Sequence, residues 1–158
     1  MDKNKKRCKL SYFKKLLMLR ELQQQGTLEN FPPPECQRAF LNALSVKEFS
    51  KVYRNLNRFE AAAFEILLTD KNKKKFDVHI QQGCSLSSFN DAIAAKGSDE
   101  QILAMLSVSL GYIPHSSLLI EQSEKFFLPV LRKRKSLPHY VLDNIIERKR
   151  EDLLIAYF

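Results

Sequence analysis

Three cysteines (Cys8, Cys36, Cys84) and three histidines (His79, His115, His139) carry the most specific chemistry available to this 158-residue chain. Thiols and imidazoles act as nucleophile and base when brought together, and hold zinc when pairs recur about two to four residues apart. Here His79 and Cys84 stand five apart and the others are scattered, so no paired-ligand zinc motif is present. Cys84 with His115 or His139 is a nominal nucleophile and base, without an activating neighbour in the sequence. The four glycines, Gly26, Gly83, Gly97 and Gly111, lie at least 14 residues apart, which excludes a glycine-rich phosphate loop. No metal, no cofactor and no enzymatic activity are expected. An odd number of widely spaced cysteines points to reduced thiols and a cytoplasmic location.

Charge is the second chemical resource. The formal net charge is +8, concentrated in KNKKR (residues 3 to 7), KNKKK (71 to 75), RKRK (132 to 135) and RKR (148 to 150). Such clusters attract phosphate backbones, anionic lipid or an acidic protein. Lys73, Lys74, Lys75, Arg132, Lys133, Arg134 and Lys135 are therefore candidate anion-binding or nucleic-acid-binding residues, and RKRK also suits a nuclear address. Most aromatics sit at helical core spacings and do not interleave with the basic residues, and no nucleic-acid-binding motif accompanies the clusters.

The elements that must position these residues are helical. Apolar residues recur at helical spacing, no segment alternates convincingly over strand length, and 44% hydrophobic composition suffices for a core, so the class is all-α. No apolar run approaches the roughly 18 to 20 residues of a membrane span. The charged start at Met1 to Lys9 lacks the apolar core of a secretory signal. Leu10 to Gln25 reads as a leader helix with Phe13, Leu16 and Leu17 on its apolar face, Lys14, Lys15 and Arg20 in solvent, and Gly26 as its cap.

Pro32, Pro33 and Pro34 bring the chain in extended, and a helix follows with apolar residues at 36, 39, 40, 43 and 44. The pattern stops at Ser45 and restarts at Phe49, Val52, Tyr53 and Leu56, then again at Phe59, Ala62, Ala63, Ile66 and Leu67. Three such short helices must pack on one another or on a partner. TDKNKKK (69 to 75) reads as a linker, and residues 76 to 82 stay open between a strand and a helical turn. Leu86 to Ala95 is a helix closed by Gly97, and Ser98 with Gln101 forms a capping box for the next. Ser117 to Leu131 is apolar until Pro129, and Pro138 starts a last helix reaching about Ala156.

Residues 31 to 68 resemble the F-box, a three-helix module that binds a Skp-type adaptor in cullin ubiquitin ligases. Pro33 and Glu35 stand at the motif's proline and acid, Phe40 and Leu41 at its isoleucine-leucine pair, and Leu44 at the next leucine. Phe49 takes the second-helix leucine, Val52 shares its face, and Arg58 and Phe59 close the motif as its basic-aromatic pair. Pro32 replaces the usual leucine, Asn55 a small residue or valine, and Phe59 the common tryptophan. The resemblance implies a division into a leader (1 to 30), the module (31 to 68), a linker (69 to 75) and a partner-binding region (76 to 158).

It further implies recruitment, not catalysis. The apolar face of Phe40, Leu41, Leu44 and Phe49 would enter the adaptor's helices, and the carboxy-terminal half would hold an unidentified target protein. The chain's compactness suits a pathogen-encoded adaptor working in host cytoplasm. The alternative is a small basic helical protein that binds nucleic acid, with the steep salt dependence of counterion release.

Overall fold

The structure, a computed structural model, describes residues 9–108. The expected helices from Ser117 and Pro138, the cluster at Arg132, Lys133, Arg134 and Lys135, the clusters at 3 to 7 and 148 to 150, Cys8, His115 and His139 lie outside those residues. Within them the fold is all-α, with seven α-helices, three 3-10 segments and no strand.

Helix α1 (Tyr12–Gln25) starts where Ser11 Oγ accepts the Lys14 N–H at 3.1 Å and ends at Gly26, whose φ of 72° is the left-handed region that favours glycine. The Gly26 N–H donates to the Leu22 carbonyl, and Asn55 Nδ2 donates to the same oxygen at 3.0 Å. Asn55 thus holds the end of the leader helix against the module. The expected apolar face of α1 is corrected: Met18, Leu19 and Leu22 are buried, whereas Phe13, Leu16 and Leu17 face outward and Lys15 pairs with Glu48 at 2.9 Å. Apolar residues surround this helix almost completely, so periodicity did not select the side that its neighbour covers.

Helix α2 (Pro34–Ala43) follows the proline run with Pro34 at its first position, where no N–H is needed. Helix α3 (Val46–Val52) begins at Ser45 with a capping box: the hydroxyl accepts the Glu48 N–H, and the Glu48 carboxylate accepts the Ser45 N–H. A 3-10 segment (Tyr53–Leu56) extends it to the corner at Phe59. Helix α4 (Ala61–Phe64) runs on into the 3-10 segment Glu65–Leu68. The buried Gln37 ties the proline approach to this third piece, donating to the Pro32 carbonyl at 2.8 Å and accepting the Glu60 N–H at 2.9 Å.

The expected linker is not one. Residues 70 to 72 form a 3-10 turn and Lys73–Gln81 form helix α5, which also decides residues 76 to 82 in favour of helix. Helix α6 (Ser87–Lys96) stops at Gly97, where a Cβ would stand 2.5 Å from the Ile93 carbonyl oxygen, so only glycine makes this turn without a shift. Helix α7 (Asp99–Val108) opens with the expected Ser98 and Gln101 box, and Gln101 Nε2 also reaches the Leu68 carbonyl at 3.0 Å.

Helices α2 and α4 pack together, α4 on α6, α3 on α5, α1 on α3 and α6 on α7. One apolar core therefore runs from Met18 through Phe40, Phe59 and Phe64 to Phe89 and Leu106, across the position of the expected linker. Phe64 and Phe89 stack across it with ring centroids 5.0 Å apart. Each fully buried Leu or Phe contributes about 1.5 to 3 kcal/mol relative to exposure, and the contributions on both sides of residue 70 enter the same core. The expectation of reduced thiols holds at Cys84, a free and buried cysteine, and fails at Cys36, which is disulfide-bonded. The redox argument for a cytoplasmic location is thereby removed.

Candidate functional site

The residues proposed for adaptor contact divide cleanly by exposure. Phe40, Leu41, Phe49 and Val52 have no accessible surface, and Leu44 and Phe59 are at 3% and 1%. The geometry explains why. The Phe59 ring packs on Phe31 edge to face at 5.5 Å and also meets Phe40 and Phe64, so the corner between the second and third helical pieces is filled by this chain's own aromatics. Phe49 meets Tyr53 edge to face at 5.8 Å. These six side chains make the core and are not available as an outward face. Pro33, Glu35 and Arg58 are exposed. Arg58 lies over the Phe31 ring with its guanidinium 5.2 Å from the centroid, and donates to Thr27 Oγ1 at 3.2 Å.

The basic run 73 to 75 does not share a face either. Lys73 and Lys74 are exposed, and Lys73 lines a depression of about 250 Å³ between α5 and α7 together with Asp70, Asp77 and Glu100. Lys75 is buried, which corrects its assignment as an anion-binding residue. Its ammonium donates to the Leu41 and Asn42 carbonyls at 3.0 and 3.1 Å and to Asn72 Oδ1 at 3.2 Å. Those carbonyls end α2, where orphan acceptors and the helix dipole favour a cation. Burial pulls Lys75 down to about 8, so at neutral pH it keeps its proton and matches three donors to three acceptors. Asn72 completes the junction through Nδ2, which donates to Asn42 Oδ1 at 3.1 Å and the Ile66 carbonyl at 2.9 Å.

Sequence reasoning missed a largely buried polar relay between the 3-10 segment after α3 and helices α5 and α6. Asn90 Nδ2 donates to the Cys84 carbonyl at 2.8 Å, which turns Asn90 Oδ1 toward His79 Nε2, also at 2.8 Å. His79 therefore carries its proton on Nε2, leaving Nδ1 to accept the Tyr53 hydroxyl at 2.5 Å. Ser85 Oγ donates in turn to the Tyr53 oxygen at 3.4 Å. The imidazole stacks on Phe89 at 4.0 Å, nearly parallel. Burial lowers His79 to about 4 against some help from Asn90, so the ring is neutral at physiological pH. Burial also raises the Tyr53 hydroxyl. Cys84 follows the left-handed Gly83, itself takes φ 52°, and its buried thiol is pushed up to about 12. A thiol in that range is protonated at neutral pH, the wrong state for a nucleophile. The relay joins elements 26 and 11 residues apart in sequence, so no local motif announces it.

The outward apolar residues gather elsewhere. Among the described residues the large exposed hydrophobics are Tyr12, Phe13, Leu16 and Leu17 on α1, with Val46 at the start of α3. Between those helices runs a groove of about 470 Å³. No group of three or more potential metal ligands occurs among the described residues, and none of their helices is long and apolar enough to cross a membrane.

The fold and these sites define an all-α protein built on one helical core with a surface groove. Comparison with protein-family models, characterised proteins and solved structures finds no match to this chain.

Proposed function

We propose that the chain is a non-catalytic adaptor that binds a Skp-type protein through residues 31 to 68 and brings a target protein to a cullin ubiquitin ligase. The observation that carries this reading is the order of the segment: a proline approach, helices α2, α3 and α4, and Phe59 at the final corner. Since the apolar residues of the motif fill the core, the contact falls to the surface positions Pro33, Glu35 and Arg58. The gain is effective concentration of target beside the conjugating enzyme. Such ligases work in a reducing cytoplasm, so the Cys36 disulfide must open there.

Co-expression with a eukaryotic Skp-type adaptor, followed by size-exclusion chromatography with a thiol reductant, tests the reading. A one-to-one complex is expected from wild type, and its loss from a Glu35→Lys, Arg58→Glu double variant that keeps its helical spectrum. A folded wild type that forms no complex would overturn the adaptor reading. A complex that the double variant retains would overturn the assigned contact.

A further inference from the structure

The groove between α1 and α3 has an apolar floor and a basic rim. Leu19 is buried beneath it and Leu16 borders it at 41% exposure, while Arg20, Lys47 and Lys51 surround it. Glu48 also lines the groove but carries no free charge, being held by Lys15 and by the Ser45 N–H. The two ion pairs among the described residues leave Arg20, Lys47 and Lys51 without an acidic partner. Lys47 and Lys51 stand four apart on α3, one turn from each other on the same side. On α1, Phe13 and Leu17 are also exposed, at 70% and 50%, and Phe13 stands three residues before Leu16 and seven before Arg20, spacings that share one helical face. Every large exposed hydrophobic of the described residues is thus within α1 or at the first residue of α3.

We propose that this groove docks an acidic amphipathic helix of a partner protein, its apolar ridge on Leu16 and Phe13 and its carboxylates on Arg20, Lys47 and Lys51. Charge complementarity names the occupant. Three cations without an acidic partner among the described residues select carboxylates. The apolar floor selects a helix with a hydrophobic face over a phosphate backbone, which needs no such surface. The groove is separate from Pro33, Glu35 and Arg58, so its occupation does not depend on the adaptor reading.

The test uses the full chain and three fluorescent probes in moderate salt: a helical peptide with leucines on one face and flanking glutamates, the same peptide with lysines, and a single-stranded oligonucleotide. Anisotropy is expected to show saturable binding of the acidic peptide alone. In an Arg20→Glu, Lys47→Glu, Lys51→Glu variant, whose changes are all on exposed side chains, that affinity falls by about tenfold or more and the lysine peptide gains binding. Phe13→Ser should weaken the acidic peptide without changing the charge preference. Absence of saturable binding, equal binding of both peptides, or an oligonucleotide that binds as tightly would each overturn the proposal. So would self-association of wild type that Phe13→Ser abolishes, because the occupant would then be a second copy.

Discussion

A Leu41→Asp variant is expected to lose its helical circular dichroism and its cooperative unfolding transition, not merely a binding activity. Leu41 has no accessible surface and lies on α2 against the core. An unpaired carboxylate there costs several kcal/mol whether it ionises or takes up a proton, against a total stability of about 5 to 15 kcal/mol for a domain. Its carbonyl is also one of the three acceptors of the buried Lys75 ammonium, so a displaced α2 would strand that cation. Leu41→Ala keeps the apolar character and should fold with a loss of about 2 to 5 kcal/mol, read from urea unfolding. Glu35→Lys, at the exposed start of α2, should cost below about 1 kcal/mol through the helix dipole. A folded Leu41→Asp protein would mean that this face is not core.

The second large effect is acid-sensitive stability centred on His79. Its folded pKa of about 4 lies below the ordinary value of 6.5, so between these limits the unfolded chain binds a proton that the folded chain refuses. Stability from this group is therefore complete above about pH 6.5 and drains away as pH falls toward 4, by about 2 to 3 kcal/mol at pH 4.5. Neutral His79 accepts the Tyr53 hydroxyl on Nδ1, and a proton placed there would set two donors against each other. Glu48 loses stability in the same direction, because the Ser45 N–H first, and Lys15 after it, hold its carboxyl below the usual range. The His79 part is isolated by comparing urea midpoints of wild type and His79→Leu at pH 7.5 and 4.5. The variant should be weaker at pH 7.5 by about 2 to 4 kcal/mol, since it leaves the Tyr53 O–H donor and Asn90 Oδ1 without their His79 partner, and its pH dependence should be shallower. Equal pH dependence in both proteins would contradict the buried neutral imidazole.

Much of the fold is legible where the signal is local. The proline run before α2, Gly26 after α1 and the Ser98 and Gln101 box each act within a few residues, and all stand as expected. The Ser45 and Glu48 box is equally readable, as a serine three residues before a glutamate, although the apolar periodicity marks Ser45 only as a break. Where two interpretations share one local pattern, the tertiary contact decides. Lys75 sits in KNKKK and looks solvated, but α2 ends beside it with unsatisfied carbonyls. The apolar residues of α1 surround the helix, and the packing of α3 selects Met18, Leu19 and Leu22. The candidate sites were less legible than the fold. A motif match over 31 to 68 names residue types but not whether their apolar face is offered to a partner or consumed by α5 and α6, because that depends on elements beyond the motif. The groove required the relative placement of α1 and α3, which no spacing within either helix encodes.

Native-state amide hydrogen exchange on the full chain tests most directly whether residues 31 to 68 belong to one core with α5 and α6. The amides of α2 and α3 should exchange as slowly as those of α5 and α6, all through the same global unfolding, because their side chains share one buried cluster. Opening of α2 and α3 at a much lower free energy than α5 and α6 would contradict the account, and would describe instead a separate module able to yield its apolar face to a partner.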